Sequence, residues 1–184
     1  MKRRSSQAHA RVIAPGTAWE AWRLDAASGE DLSGQLLDAH GRLQVVPAVE
    51  LARSTPQARL RFGVTHGVYG LLTHELVEWL RTFIAGRSAI EIGAGHGQLA
   101  APLGIPATDN RQQEDPAIQA HYAALGQPTV RYGENVQKLD AIAAVDHHKP
   151  EIVIASWVTH IYRPERPEAG GSTSGIDEEA VIDA

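Results

Sequence analysis

The chain has 184 residues, 43% of them apolar, with 17 basic against 22 acidic side chains, a formal net charge of -5 and no cysteine. That length suits one domain rather than two, the lack of cysteine excludes a disulfide scaffold, a thiolate metal site and a cysteine nucleophile, and the acidic balance argues against nucleic-acid binding through bulk positive charge. No apolar run approaches the roughly 18 residues of a membrane span, and Ser5-Ser6-Gln7-Ala8-His9 follows Met1-Lys2-Arg3-Arg4 where a signal peptide needs its apolar stretch, so the expected address is cytoplasmic and reducing.

Residues 1–15 mix Ala, Ser and charges without a period and read as a disordered tail, with Lys2, Arg3 and Arg4 as a solvated basic cluster. Trp19 and Trp22, three apart, are expected to anchor a short helix within an N-terminal extension over residues 16–61. In that extension Gln35-Leu36-Leu37 and Arg42-Leu43-Gln44-Val45-Val46 read as two strands around the turn at Gly41, a β-hairpin. Residues 50–61 are weakly helical and broken at Thr55-Pro56. The methyl-rich face of Leu76, Val77, Leu80, Phe83 and Ile84 predicts a helix over 73–84, with Thr73 as N-cap and Gly86 as its stop. His74-Glu75 in that helix lacks the second histidine at i+4 that a zinc-protease helix requires, because position 78 is Glu, so no metal is expected.

After Gly86 the pattern alternates. Strands are expected at 88–92, 105–109, 129–132 and 151–156, with helices at 98–103, at 115–125 behind the Asp115-Pro116 start, and at 136–145. Strand and helix in alternation imply an α/β, Rossmann-like parallel sheet over residues 62–184. Residues 163–175 read as loop and 176–184 as the opening of a helix.

The first of these strands ends in Glu91-Ile92-Gly93-Ala94-Gly95-His96-Gly97. Closely spaced glycines between a strand and a helix let a ligand approach the backbone and meet the helix N-terminus. The dinucleotide fingerprint needs a third glycine where Gln98 stands, which disfavours a nicotinamide-dependent oxidoreductase, and no Gly-Lys-Ser/Thr completes a P-loop. What is left, an acidic residue and Gly-x-Gly-x-Gly, resembles motif I of the class I S-adenosylmethionine-dependent methyltransferases, and the resemblance runs over residues 89–160.

The resemblance implies a class I methyltransferase fold and S-adenosyl-L-methionine as cofactor. It implies that Glu91, Gly93, Gly95 and Gly97 surround the methionine part, that Asp109, 18 positions after Glu91, accepts the ribose hydroxyls, and that Glu134 and Asn135, after the third strand, reach the adenine. The end of the fourth strand, with Ser156, Trp157, Thr159 and His160, would face the transferred methyl group, Ser156 beside the cofactor, Trp157 and Thr159 in the acceptor pocket and His160 as a base. Upstream, Tyr69 in the glycine-rich stretch 62–70 would cover the cofactor. Each has a plainer alternative: Asp109 as a cap, Glu134 as a surface acid, Tyr69 as a core ring, His160 as a satisfied surface imidazole. His96 reads as a loop filler.

Ser156-Trp157-Val158-Thr159 does not fit the acidic or amide residue, Pro-Pro and aromatic of amino-methylating DNA enzymes. The acceptor, small or macromolecular, is therefore left open. The family's sheet normally has seven strands, and these residues supply four, so the sheet is expected to be incomplete after strand four. Either the 35–46 hairpin completes it or a partner, such as a second copy, covers the short side. The alternative function is a methyltransferase-like protein that binds cofactor or partner without turnover.

Overall fold

The computed structural model describes residues 9–14, 17–22 and 30–184; the expectations for residues 1–8, including the basic cluster at Lys2 to Arg4, lie outside them. Strands β1 (His9–Ala14) and β2 (Thr17–Trp22) pair antiparallel. This corrects two expectations, since the second part of the expected disordered tail is a strand and Trp19 and Trp22 stand on β2 rather than on a helix.

The 35–46 hairpin is also corrected. Leu32 and Leu36, four apart, are buried with Val46, Ala58 and Phe62, and that spacing closes a helical turn, α1 (Ser33–Leu36). One antiparallel bridge, Leu37 with Leu43, is what exists of the hairpin. The Asp38 carboxylate organises its turn by accepting the backbone N–H groups of His40 (2.8 Å) and Arg42 (2.9 Å). Helices α2 (Ala48–Arg53) and α3 (Pro56–His66) are separated at Thr55-Pro56 as expected, with Thr55 capping α3 by accepting from the Ala58 N–H at 3.1 Å.

Helix α4 (His74–Ile84) starts where the Thr73 hydroxyl accepts the Leu76 N–H at 3.1 Å, and it buries Val77, Leu80 and Ile84. Its left-handed exit begins at Ala85 (φ 51), one residue before Gly86 (φ 80).

The main sheet is four-stranded and all parallel: β3 (Ala89–Ile92), β4 (Ala107–Asp109), β5 (Val136–Lys138) and β6 (Ile152–Ala155), in the order β5-β4-β3-β6. In order along the chain that is 3-2-1-4. The 35–46 segment does not join this sheet, which removes the idea that it completes it. Alternation along β3 sorts the two faces. Ile90 and Ile92 pack against α7 (Ala141–His148) and α8 (Glu178–Asp183) through Ala144, Val145 and Val181, while Ala89 meets Ile84 of α4 on the other side. Helices α5 (Ala100–Leu103) and α6 (Pro116–Ala124) complete the α/β alternation, α6 capped by Asp115 through the Ala117 N–H at 2.7 Å. No helix among the described residues is long and apolar enough to cross a membrane.

The third strand differs from expectation. Residues 129–132 form no strand, because the Val130 N–H is taken by the Gln113 side chain at 2.8 Å instead of a ladder partner. Val136 and its two successors form β5, in register with Ala107, Thr108 and Asp109, and α7 starts only after Asp140 accepts the Ala143 N–H. Glu134 and Asn135 therefore precede the strand that they were expected to follow.

Candidate functional site

Every parallel strand of the sheet points its carboxyl end the same way, and ligand sites of open α/β sheets lie there. Here the loops leaving β3, β4 and β6 enclose a cavity of about 480 Å³ together with residues 68–72. That volume falls within the range of small-molecule pockets.

The floor is the glycine loop. Its backbone is tied to β4 at two points, the Ala94 N–H donating to the Thr108 carbonyl (2.9 Å) and the Gly95 N–H to Asp109 Oδ2 (3.0 Å). Gly95 has φ +53, and a Cβ there would find only Val130, at 3.5 Å. Gly97 differs: at φ +68 its Cβ would stand 2.5 Å from Val136 Cγ2 and 2.9 Å from Asn135 Nδ2. Gly97 is thus required by packing against β5, and it does not line the cavity.

Glu91, on the face of β3 turned toward α5, is 3% exposed and accepts the Ala100 N–H at 2.9 Å. Burial pushes its carboxyl up to about 7, with the Asp109 charge adding to the rise and the Ala100 hydrogen bond opposing it. At the tip of β4, Asp109 Oδ1 accepts the Arg111 N–H at 2.7 Å, an arrangement that holds Arg111 in the left-handed region at φ 56.

A hub follows. Gln113 accepts the Val130 N–H, donates its side-chain amide to the Tyr122 hydroxyl (3.4 Å) and donates its backbone N–H to the Tyr132 hydroxyl (3.3 Å). Burial raises Tyr69, with the neighbouring Tyr122 hydroxyl contributing, and burial with the nearby Asp109 charge pushes Tyr132 up to about 12. Both phenols therefore keep their protons and act as hydrogen-bonding walls.

Of the residues expected from sequence, Tyr69, Glu91, Gly93, Gly95, Asp109, Ser156, Trp157 and Thr159 line this cavity together. Four do not. Gly97 is packed as described, Asn135 donates its amide to the Gly97 carbonyl at 3.0 Å, and Glu134 is exposed at the entry to β5. His160 is separated from the cavity: its Nε2 lies 3.1 Å from the Ala169 carbonyl, where the chain bridges back through His160–Ile176 and Ile161–Ser172. Residues 160–176 form these bridges because Gly171 and Gly175 approach the His160 backbone more closely than any Cβ permits.

Sequence reasoning missed Gln113, Tyr122 and Tyr132, and it dismissed His96, which lines the cavity and whose imidazole is held below its usual range by burial and by Arg131. With the third strand placed at 136–138, Leu139 and Ala141 replace Glu134 and Asn135 as that strand's contribution to the wall. Gln98, the residue that breaks the dinucleotide fingerprint, accepts the Leu43 N–H at 2.7 Å and so joins the N-terminal segment to the loop.

Trp157 is the oddity of the site. It is 74% exposed, yet it holds φ 58, a conformation that costs an L-residue roughly 1–2 kcal/mol. Its indole lies on Gly70, where a Cβ would be 3.3 Å from Cδ1 and Nε1. An exposed ring on a strained backbone contributes little to the fold. Trp157→Asn, which tolerates that backbone, is expected to change unfolding free energy by no more than about 0.5 kcal/mol in a urea titration. A loss of several kcal/mol would instead make the ring a structural buttress.

No family model, curated protein or solved structure matches the chain.

Proposed function

We propose that the protein is an S-adenosylmethionine-dependent methyltransferase of the class I, Rossmann-like type, with its cofactor in this cavity and an acceptor at the mouth. The observation that carries the reading is the junction of Gly95 and Asp109: a side-chain-free loop at the tip of β3, tied through its own N–H to a carboxylate at the tip of β4, both in the wall of one cavity.

The residues fit such a cofactor on three counts. Gly95 leaves the floor open to close approach, and each Asp109 oxygen has acceptor capacity beyond the one N–H that it takes, enough for ribose hydroxyls. The acidic wall of Glu91 and Asp109, with no lysine or arginine among its lining residues, suits a cationic ligand. In addition, Gln112 Oε1 is a buried acceptor without a partner in that segment.

When bound, the cofactor supplies a methyl group on a positively charged sulfur, ready for in-line displacement. The chain's task is positioning and desolvation. Glu91 and Asp109 would hold the ligand's polar parts, Tyr69 would cover it with Ser156 beside it, and Trp157 and Thr159 would border the acceptor. His160, bonded to Ala169, has no part in this scheme.

Calorimetric titration with S-adenosylmethionine and with S-adenosylhomocysteine tests the reading. Binding is expected for both, and Asp109→Ala should weaken it by about tenfold or more, the scale of one charge-assisted hydrogen bond. No heat with either compound at millimolar concentration overturns the proposal. Cofactor binding without labelled methyl transfer to any fraction of a cell lysate would favour the non-catalytic alternative.

A further inference from the structure

The chain holds four Trp, four Tyr and two Phe, and Tyr69, Tyr122, Tyr132 and Trp157 all line one cavity. Four of its ten aromatic rings thus border a single space. Among the lining residues the acidic side chains are Asp109 and the buried Glu91, whose carboxyl, raised to about 7, is only partly ionised at neutral pH, and there is no lysine or arginine. Arg111, adjacent in sequence to the wall, is turned away to the Val136 carbonyl at 2.6 Å, its guanidinium 5.5 Å from the centre of the Tyr132 ring.

The mouth is defined by two of those rings. Tyr69 is 57% exposed and Trp157 74%, and both also belong to the cavity wall, so each ring borders the cavity and solvent at once. Gly70 is not in the left-handed region, so its missing side chain is needed for space: it admits the Trp157 indole against the backbone beside Tyr69. Trp157 combines a positive φ with an exposed ring at this one place. Aromatic faces attract cations, most strongly when acidic groups stand behind them and water is partly excluded. An anionic group at the same mouth would meet the Asp109 carboxylate, with no lysine or arginine among the lining residues to pair with it.

We propose that the mouth between Tyr69 and Trp157 binds an amine in its ammonium form, and that the acceptor of this site is accordingly an amine rather than a carboxylate, phosphate or alcohol: the ammonium releases a proton to solvent at the open mouth, and the freed nitrogen lone pair then forms the new N–C bond as the methyl–sulfur bond breaks and S-adenosylhomocysteine leaves. The acceptor role rests on the methyl-transfer reading; the cation site does not.

The test uses three probes of similar size, phenethylamine, 3-phenylpropionate and 2-phenylethanol, titrated calorimetrically near neutral pH into the full chain with and without saturating S-adenosylhomocysteine. Phenethylamine is expected to bind about tenfold more tightly than the carboxylate and more tightly than the alcohol, a preference on the scale of a partly desolvated cation–π contact. Trp157→Asn and Tyr69→Ala, checked for unchanged thermal unfolding, are each expected to reduce that preference to within about threefold. Equal or tighter binding of the carboxylate overturns the proposal, as does an amine preference that survives in both variants. An amine preference without any S-adenosylhomocysteine binding upholds the cation site and removes the methyl-transfer reading. S-adenosylhomocysteine binding with no amine preference does the reverse.

Discussion

Gly97→Ala is expected to cost about 3–4 kcal/mol of unfolding free energy, read as a lower midpoint in guanidinium with an unchanged slope. Two penalties add. At φ +68 any Cβ carries the left-handed cost of roughly 1–2 kcal/mol. This Cβ would also stand 2.5 Å from Val136 Cγ2, a buried side chain at the start of β5 that is packed with Ala100 and Ala107, and forcing such a core typically costs a further 1–3 kcal/mol. Gly95→Ala is the instructive partner. Its Cβ meets nothing closer than Val130 at 3.5 Å, so only the backbone penalty of roughly 1–2 kcal/mol applies, but the new methyl stands where the cavity floor was open. The two alanines should therefore separate: Gly97→Ala loses stability first, and Gly95→Ala loses ligand affinity while the fold persists. Equal stability losses would mean that both glycines serve packing alone.

That separation was not legible in the sequence, where Gly93, Gly95 and Gly97 look equivalent. What could be read was the chemistry settled within a few residues. Thr73 and Asp115 cap their helices, Ala89–Ile92 is a strand buried on both faces, and Asp109 stands at the next strand's tip, because each depends on neighbours close in sequence. The errors came where a partner far along the chain decided the outcome. Thr129-Val130-Arg131-Tyr132 alternates like a strand, but Gln113, 17 residues before Val130, accepts the Val130 N–H on its side chain and donates its backbone N–H to the Tyr132 hydroxyl. Val136-Gln137-Lys138 has one apolar residue and looks like a helix entry, yet an edge strand needs only that one, buried against Ala107, to hold its register. His160 adjoins the site in sequence and not in space, since two glycines more than ten residues later draw its backbone into a different loop.

Glu91 links the site to pH. Its carboxyl is raised from the usual value near 4.5 to about 7, so the folded chain holds a proton there that the unfolded chain releases. The stability that this proton confers is complete below about pH 4.5, falls as pH rises through 7 and is gone above it; a difference of 2.5 pH units corresponds to about 3 kcal/mol between pH 5 and 8. Glu91→Gln keeps an acceptor for the Ala100 N–H and removes the titration, so its stability should exceed that of the parent chain at pH 8 and match it near pH 5. Denaturant titrations at the two pH values check this, and a parallel pH dependence in both proteins would assign the slope to other groups. Ligand binding must respond to the same equilibrium. A cationic ligand in a wall containing Glu91 and Asp109 favours the ionised carboxylate, so its uptake near pH 7 should expel a proton from Glu91. Affinity for S-adenosylmethionine is then expected to rise by up to about tenfold per pH unit below 7 and to level off above it, with Glu91→Gln showing a flat profile. Calorimetry in two buffers of different ionisation enthalpy counts the proton directly. A count of zero in the parent chain would mean that the bound cation does not sense Glu91, and with it the electrostatic case for a cationic ligand in this cavity would fall on Asp109 alone.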